Sequence, residues 1–209
     1  MRQWIQRRIG QIVLVVAIAF TAGSASADVG PSNPSGWITD LADRVIAILH
    51  DQKSAADQRL SFRALIDERF DMPAIAQFVA GRYWRTSNES DRQQFTSAFT
   101  DYMVDFYNAR FADYGNQTLK VLGQRTTSEG NWIVASQIIN PNGSPGTTLD
   151  WRITQTSQGQ KITDVAIGGV SLAITKRDEF GSVIQRNGGQ IAALTAELDR
   201  HTSGQRAQR

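Results

Sequence analysis

Up to about residue 115 the apolar residues of this chain recur every three or four positions, and from Gln117 they recur every second position. A pattern with the helical period cannot bury its apolar set as a strand, and the reverse is equally true. The chain is therefore bound to a helical half followed by a sheet half. In the first half, Trp37, Leu41, Val45 and Ile48 draw one helix face, and Ser54 is placed to cap a second helix carrying Phe62, Leu65 and Ile66. Phe70-Asp71-Met-Pro73 restarts the chain, with Asp71 as a cap, Pro73 in a first helical turn and Gly81 where a helix stop is wanted. The longest helix is expected from Ser87 or Asn88 to Gly115, with a stripe of Phe95, Phe99, Met103, Phe106 and Arg110 flanked by Tyr102 and Tyr114.

The second half contains four alternating runs, TLKVLGQ, NWIVASQIIN, TTLDWRITQT and KITDVAIGGV, separated by the turn-rich SEGN, PNGSPG and SQGQ. Links this short make an antiparallel four-stranded meander the natural arrangement. Alternation places Trp132, Val134 and Ile138 on one side, interrupted by Ser136; Leu149, Trp151 and Ile153 on one side of the next strand; and Val165 and Ile167 with Thr163 on the last. Two closing helices follow, in SLAITKRDEFGSVIQRNG and GQIAALTAELDRH. The order implies an α+β fold with helices against one face of a curved sheet. A concave sheet beneath an aromatic helix makes either a plain core or a pocket.

Residues 1–27 are expected to be a signal peptide: the basic MRQWIQRR, the apolar IGQIVLVVAIAF and an Ala-x-Ala site ending at Ala27 come in the order secretion requires. Without that leader 209 − 27 = 182 residues remain, and the bases fall from 22 to 19 against 20 acids, a charge of about −1. Near-neutrality gives no support for a nucleic-acid partner. Residues 28–201 suit one domain, and 202–209 a flexible tail. With no cysteine, packing alone must hold the fold in an oxidising compartment.

The stretch Asp164-Val-Ala-Ile-Gly-Gly-Val-Ser-Leu-Ala173 holds a Gly-x-Ser-x-Ala that resembles a nucleophile elbow, and Ser171, Asp178 and His201 follow the order Ser, acid, His. The elbow belongs to parallel sheets, whereas these strands are joined by short turns, so Gly168-Gly169 more simply turns the chain and Ser171 caps the next helix. Two isolated histidines, His50 and His201, form no metal-ligand spacing, and there is no Gly-rich phosphate loop. Asp150 and Asp164 offer an acid-base pair if the strands bring them face to face. The balance favours binding over catalysis, with no cofactor and no metal.

The segment FDMPAIAQFVAGRYWRTSNESDRQQFTSAFTDYM resembles the signature of the MlaC family of periplasmic toluene-tolerance auxiliary proteins, in Phe70-Asp71, Ile75-Ala76, Gly81-Arg82, Trp84-Arg85, Phe95 and Phe99. Tyr114-Gly115, TDVAIGGVSL and EFGSVIQRNGG match later landmarks of that family in the same order. Gln160-Lys161 and Trp151 depart from it, and LAITKRDEFGSVIQRNGG is also similar to the related hopanoid-associated HpnM subfamily. The resemblance implies a monomeric periplasmic carrier, without enzymatic activity, that takes phospholipid, or alternatively a hopanoid, between an inner-membrane MCE-domain transporter of the ABC type and an outer-membrane lipoprotein complex. Strand alternation and helical phase give the wall of such a lipid cavity as Phe95, Phe99, Met103, Phe106, Trp132, Val134, Ile138, Leu149, Trp151, Ile153, Val165 and Ile167. Arg82 and Arg85, flanking Trp84, would meet a phosphate or an acidic patch on a partner.

Overall fold

The computed structural model describes residues 33–51, 54–111 and 116–207. The expected leader, Tyr114-Gly115 and the side chain of Arg110 lie outside the described residues. Local signals place the helix starts. Helix α1 (Pro34–His50) opens on Asn33, whose side chain accepts the Gly36 N–H, and α2 (Ala55–Arg69) on Ser54, which accepts from Asp57. In α3 (Met72–Ala80) the Asp71 carboxylate accepts from Ala74, and Gly81, at φ 57°, lets the chain break into the short α4 (Arg82–Thr86). Asn88 accepts the Asp91 N–H at 2.8 Å and starts the long α5 (Glu89–Phe111).

The sheet is an antiparallel meander in chain order: β1 (Thr118–Thr126), β2 (Trp132–Ile139), β3 (Pro145–Thr156), β4 (Gly159–Ile167) and β5 (Val170–Ser171). The fifth strand was not among the four expected. It exists because Gly168 and Gly169, at φ 57° and 82°, make a two-residue turn that folds Val170 back onto Ile167. Helix α6 (Leu172–Arg186) and α7 (Ile191–Ala207) close the chain. The last helix runs past the expected tail boundary, and Thr202 is buried within it. Helix α7 packs along α5.

All the long helices lie on one face of the sheet. Helix α1 runs against β1 and β2, α2, α3 and α6 reach β4, and α5 spans the helical layer between α2, α3 and α7. The inward sheet face is Val134, Ser136 and Ile138, then Leu149, Trp151 and Ile153, then Ile162 and Val165. On β4 the phase expected from alternation fails at one place. Arg152 pairs with Asp164 but Ile153 pairs with Ile162, so Thr163 is an extra residue in the ladder and Ile162, fully buried, takes the inward position before it. Phe70 bridges to the same Ile162, and Asp71 donates its N–H to the Ile162 carbonyl at 2.9 Å, which ties the α2–α3 corner to the sheet.

Ser136, the polar break in an apolar strand, has a buried partner: it accepts the Trp151 indole N–H at 2.8 Å and donates to the Leu149 carbonyl at 3.2 Å. Trp151 can therefore be buried without an orphaned donor. Ser136→Ala is expected to lower unfolding free energy by about 1–3 kcal/mol, the cost of leaving that N–H unmet, read from the denaturant midpoint at unchanged slope.

Candidate functional site: an apolar cavity between helices and sheet

A cavity of about 140 Å³ lies between the sheet and the helical layer. Its wall is contributed by Leu41, Ala42 and Val45 of α1, Phe62, Leu65 and Ile66 of α2, Phe70, Met72 and Ile75 around the start of α3, and Phe99, Met103 and Tyr107 of α5. The sheet side adds Leu119, Leu149, Trp151, Val165 and Ile167 with Thr163 and Asp164, and α6 adds Leu172, Ala173 and the stem of Lys176. Nearly all of this surface is carbon. The polar members have their polar atoms engaged elsewhere. Asp164 accepts the Ser171 hydroxyl at 2.6 Å and the Ala173 N–H at 3.1 Å, and Ser171 in turn accepts from Ile174 at 3.1 Å. The carboxylate and the serine together cap α6. Lys176 sends its ammonium to Glu179 at 2.8 Å, where it lies 5.3 to 5.7 Å from the ring centres of Tyr102, Phe106 and Phe180, none of which lines the cavity.

Six residues expected from the sequence do line the cavity: Phe99, Met103, Leu149, Trp151, Val165 and Ile167. Six do not. Phe95 is fully buried one turn before Phe99, with the two rings stacked at 5.8 Å, and Val134, Ile138 and Ile153 are core positions of the sheet. Trp132 is half-buried at the far end of β2, opposite Ile153. Phe106 packs on Tyr102, Tyr107 and Lys176. On α5 the wall follows strict four-residue steps, from Phe99 to Met103 to Tyr107, and the three-residue step to Phe106 turns that ring toward α6. Periodicity marks Leu41, Val45, Phe62, Leu65 and Ile66 as helix faces but not as wall, because it shows which residues a helix buries and not what it buries them against, and it does not single out Ala42, Met72 or Ile75.

Neither Arg82 nor Arg85 reaches the cavity. Arg82 lies over the Tyr83 ring at 4.8 Å and donates to its hydroxyl at 2.8 Å. Arg85 lines a surface depression with Gln77, Phe78, Gly81, Trp84 and Arg177. The enzyme-like groupings are not assembled. Asp150 stands opposite Ala166 and Asp164 opposite Arg152, so the two carboxylates are not cross-strand partners. Ser171 is bonded to Asp164 while the His201 ring packs on Tyr102 at 5.3 Å. Among the described residues no cluster of three or more His, Cys, Asp or Glu could hold a metal ion, and no helix is long and apolar enough to cross a membrane.

Comparison with known proteins converges on one family. A curated relative, the toluene tolerance protein ttg2D of Pseudomonas putida, is 22% identical over 181 residues, which cover 86% of this chain and 84% of that protein. A solved structure of a phospholipid-binding protein from Ralstonia solanacearum, in complex with a phospholipid, superposes with a TM-score of 0.70 at 25% identity, over 82% of this chain and 97% of that one. The family model described as MlaC protein matches residues 39–200, a span that includes every cavity-lining residue named above, and this chain belongs to the MlaC family.

Proposed function

We propose that this protein is a periplasmic, non-enzymatic lipid carrier that holds phospholipid acyl chains in the cavity between α1, α2, α3, α5, α6 and the sheet. The carbon-lined cavity carries the reading, and the phospholipid complex of the Ralstonia structure supports its cargo class. Exposing one methylene to water costs about 0.8 kcal/mol, so a tail of about sixteen carbons crossing water alone meets a barrier on the order of 10 kcal/mol. A dry cavity removes that barrier. Its volume of about 140 Å³ is close to that of an engineered apolar cavity of about 150 Å³ that admits benzene. A segment of one tail fits such a space, and a pair of full tails requires the helical wall to move outward.

The carrier works as a monomer and without a cofactor, exchanging lipid with an inner-membrane MCE-domain transporter and an outer-membrane lipoprotein complex. Arg82 and Arg85, outside the cavity, belong to the surface that meets a membrane component and not to the tail site. Native mass spectrometry of the protein purified from periplasm without detergent tests the reading. An adduct of phospholipid mass that is lost on denaturation is expected, and an adduct of hopanoid mass would keep the carrier and change the cargo. A bare polypeptide mass, unchanged after incubation with labelled liposomes, would sink it.

A further inference from the structure

The outer side of the α3–α6 pair carries charge and apolar surface together. On α6, Ile174 is exposed at 54% and Arg177 follows one turn later on the same face; on α3, Phe78 is exposed at 41%. The Arg177 guanidinium lies 5.0 Å above the Phe78 ring, and Arg85 and Trp84 complete the same depression beside Gly81. Arg85 and Arg177 make no ion pair among the described residues, although Arg44, Arg59, Arg63, Arg69 and Arg92 all do. The nearest carboxylates on α6 do not neutralise them: Glu179 is bonded to Lys176, and Asp178 is turned about 100° round the helix from Arg177. Val170, exposed at 60%, lies just before the same helix.

We propose that the face formed by Phe78, Trp84, Arg85, Ile174 and Arg177 docks on the surface of an anionic phospholipid bilayer. Guanidinium groups at head-group height, with aromatic and aliphatic tips beside them, are the arrangement by which a protein lies on a membrane without entering it. Lipid phosphates meet these guanidiniums in water, without the desolvation that burial at the centre of a protein interface would cost. The same two helices supply Met72, Ile75, Leu172, Ala173 and Lys176 to the cavity wall, with Ile75 one turn before Phe78 and Ala173 one turn before Arg177, so docking brings that wall to the bilayer. The inference rests on the carrier reading for its purpose but not for its test.

The test is co-sedimentation of the periplasmically purified protein with vesicles of phosphatidylcholine alone and of equal parts phosphatidylcholine and phosphatidylglycerol. Pelleting with the anionic vesicles only, reversed by high salt, is expected. Each surface arginine contributes about fivefold to such a partition, so Arg85→Gln with Arg177→Gln should weaken it roughly 25-fold and the Glu pair further. Phe78→Ser should weaken it at unchanged charge. Equal pelleting with both vesicle types, none with either, or double variants that partition like the parent would overturn the proposal. Far-UV circular dichroism and the bound-lipid mass are read on the same samples. Partition lost with the adduct retained separates docking from cargo binding, and a parent that pellets but carries no lipid would fail the carrier reading alone.

Discussion

Replacing Ala42 or Ala173 by phenylalanine is expected to abolish the lipid adduct while leaving the protein at least as stable as the parent. Both alanines line the cavity, one from α1 and one from the first turn of α6, so either ring enters the space a tail would use. In a close-packed core a substitution of this size forces shifts that cost about 1–3 kcal/mol. A cavity reverses the sign. Removing cavity volume stabilises by about 24 cal/mol per Å³, so filling all of the roughly 140 Å³ gives at most about 3 kcal/mol. Thermal unfolding of lipid-free protein and native mass spectrometry of the same sample read the two halves of the prediction. Lower stability together with a retained adduct would show that the tails lie elsewhere.

The same contrast between space and packing explains what the sequence could show. The starts of α2, α3 and α6 and the stop of α3 follow from Ser54, Asp71, Ser171 and Gly81, each of which satisfies a backbone group within three residues of itself or turns the chain at once, while the Asn33 cap and the short α4 come from the structure alone. Leu149, Trp151 and Ile153 were legible for the same reason, since strict alternation on β3 fixes their side. Ile162 was not. The extra residue at Thr163 is set by how β4 pairs with β3 and by the bridge from Phe70, contacts between segments far apart in the chain. The division of the apolar set into wall and core is less local still. Phe95 and Phe99 read identically in the stripe, yet only Phe99 borders the cavity, because α1, α2 and α6 enclose the space beside its turn of α5.

Arg59→Met should lower unfolding free energy by about 3–5 kcal/mol and open the cavity to solvent. Arg59 fastens α2 to α5, donating to Asp105 at 2.5 Å and to Asp101 at 2.6 Å, and Arg63 adds a second bond to Asp101 at 2.8 Å. The side chains of Arg59 and Asp105 are only 17% and 4% exposed, so removing the guanidinium strips a buried carboxylate of a charge-assisted bond. The Arg44–Glu68 pair between α1 and α2 is the contrasting case. Its side chains are 40% and 51% exposed, and although Arg44 donates to both carboxylate oxygens, solvent screens the pair. The hydrogen bond from Arg44 holds the Glu68 carboxyl below its ordinary range. What stability this gives is complete above the unfolded carboxyl's value and disappears as pH falls through the lower folded one, a small effect confined to acid. Loss of Arg59 acts at neutral pH. Because α2 supplies Phe62, Leu65 and Ile66 to the wall, loosening it from α5 should raise the binding of a dye that fluoresces in apolar surroundings and speed lipid release to acceptor liposomes. Arg59→Lys, which keeps the charge but not the two-pronged reach, should fall between parent and Met variant. A Met variant with parental stability and parental lipid release would show that the α2–α5 clasp does not hold the cavity shut.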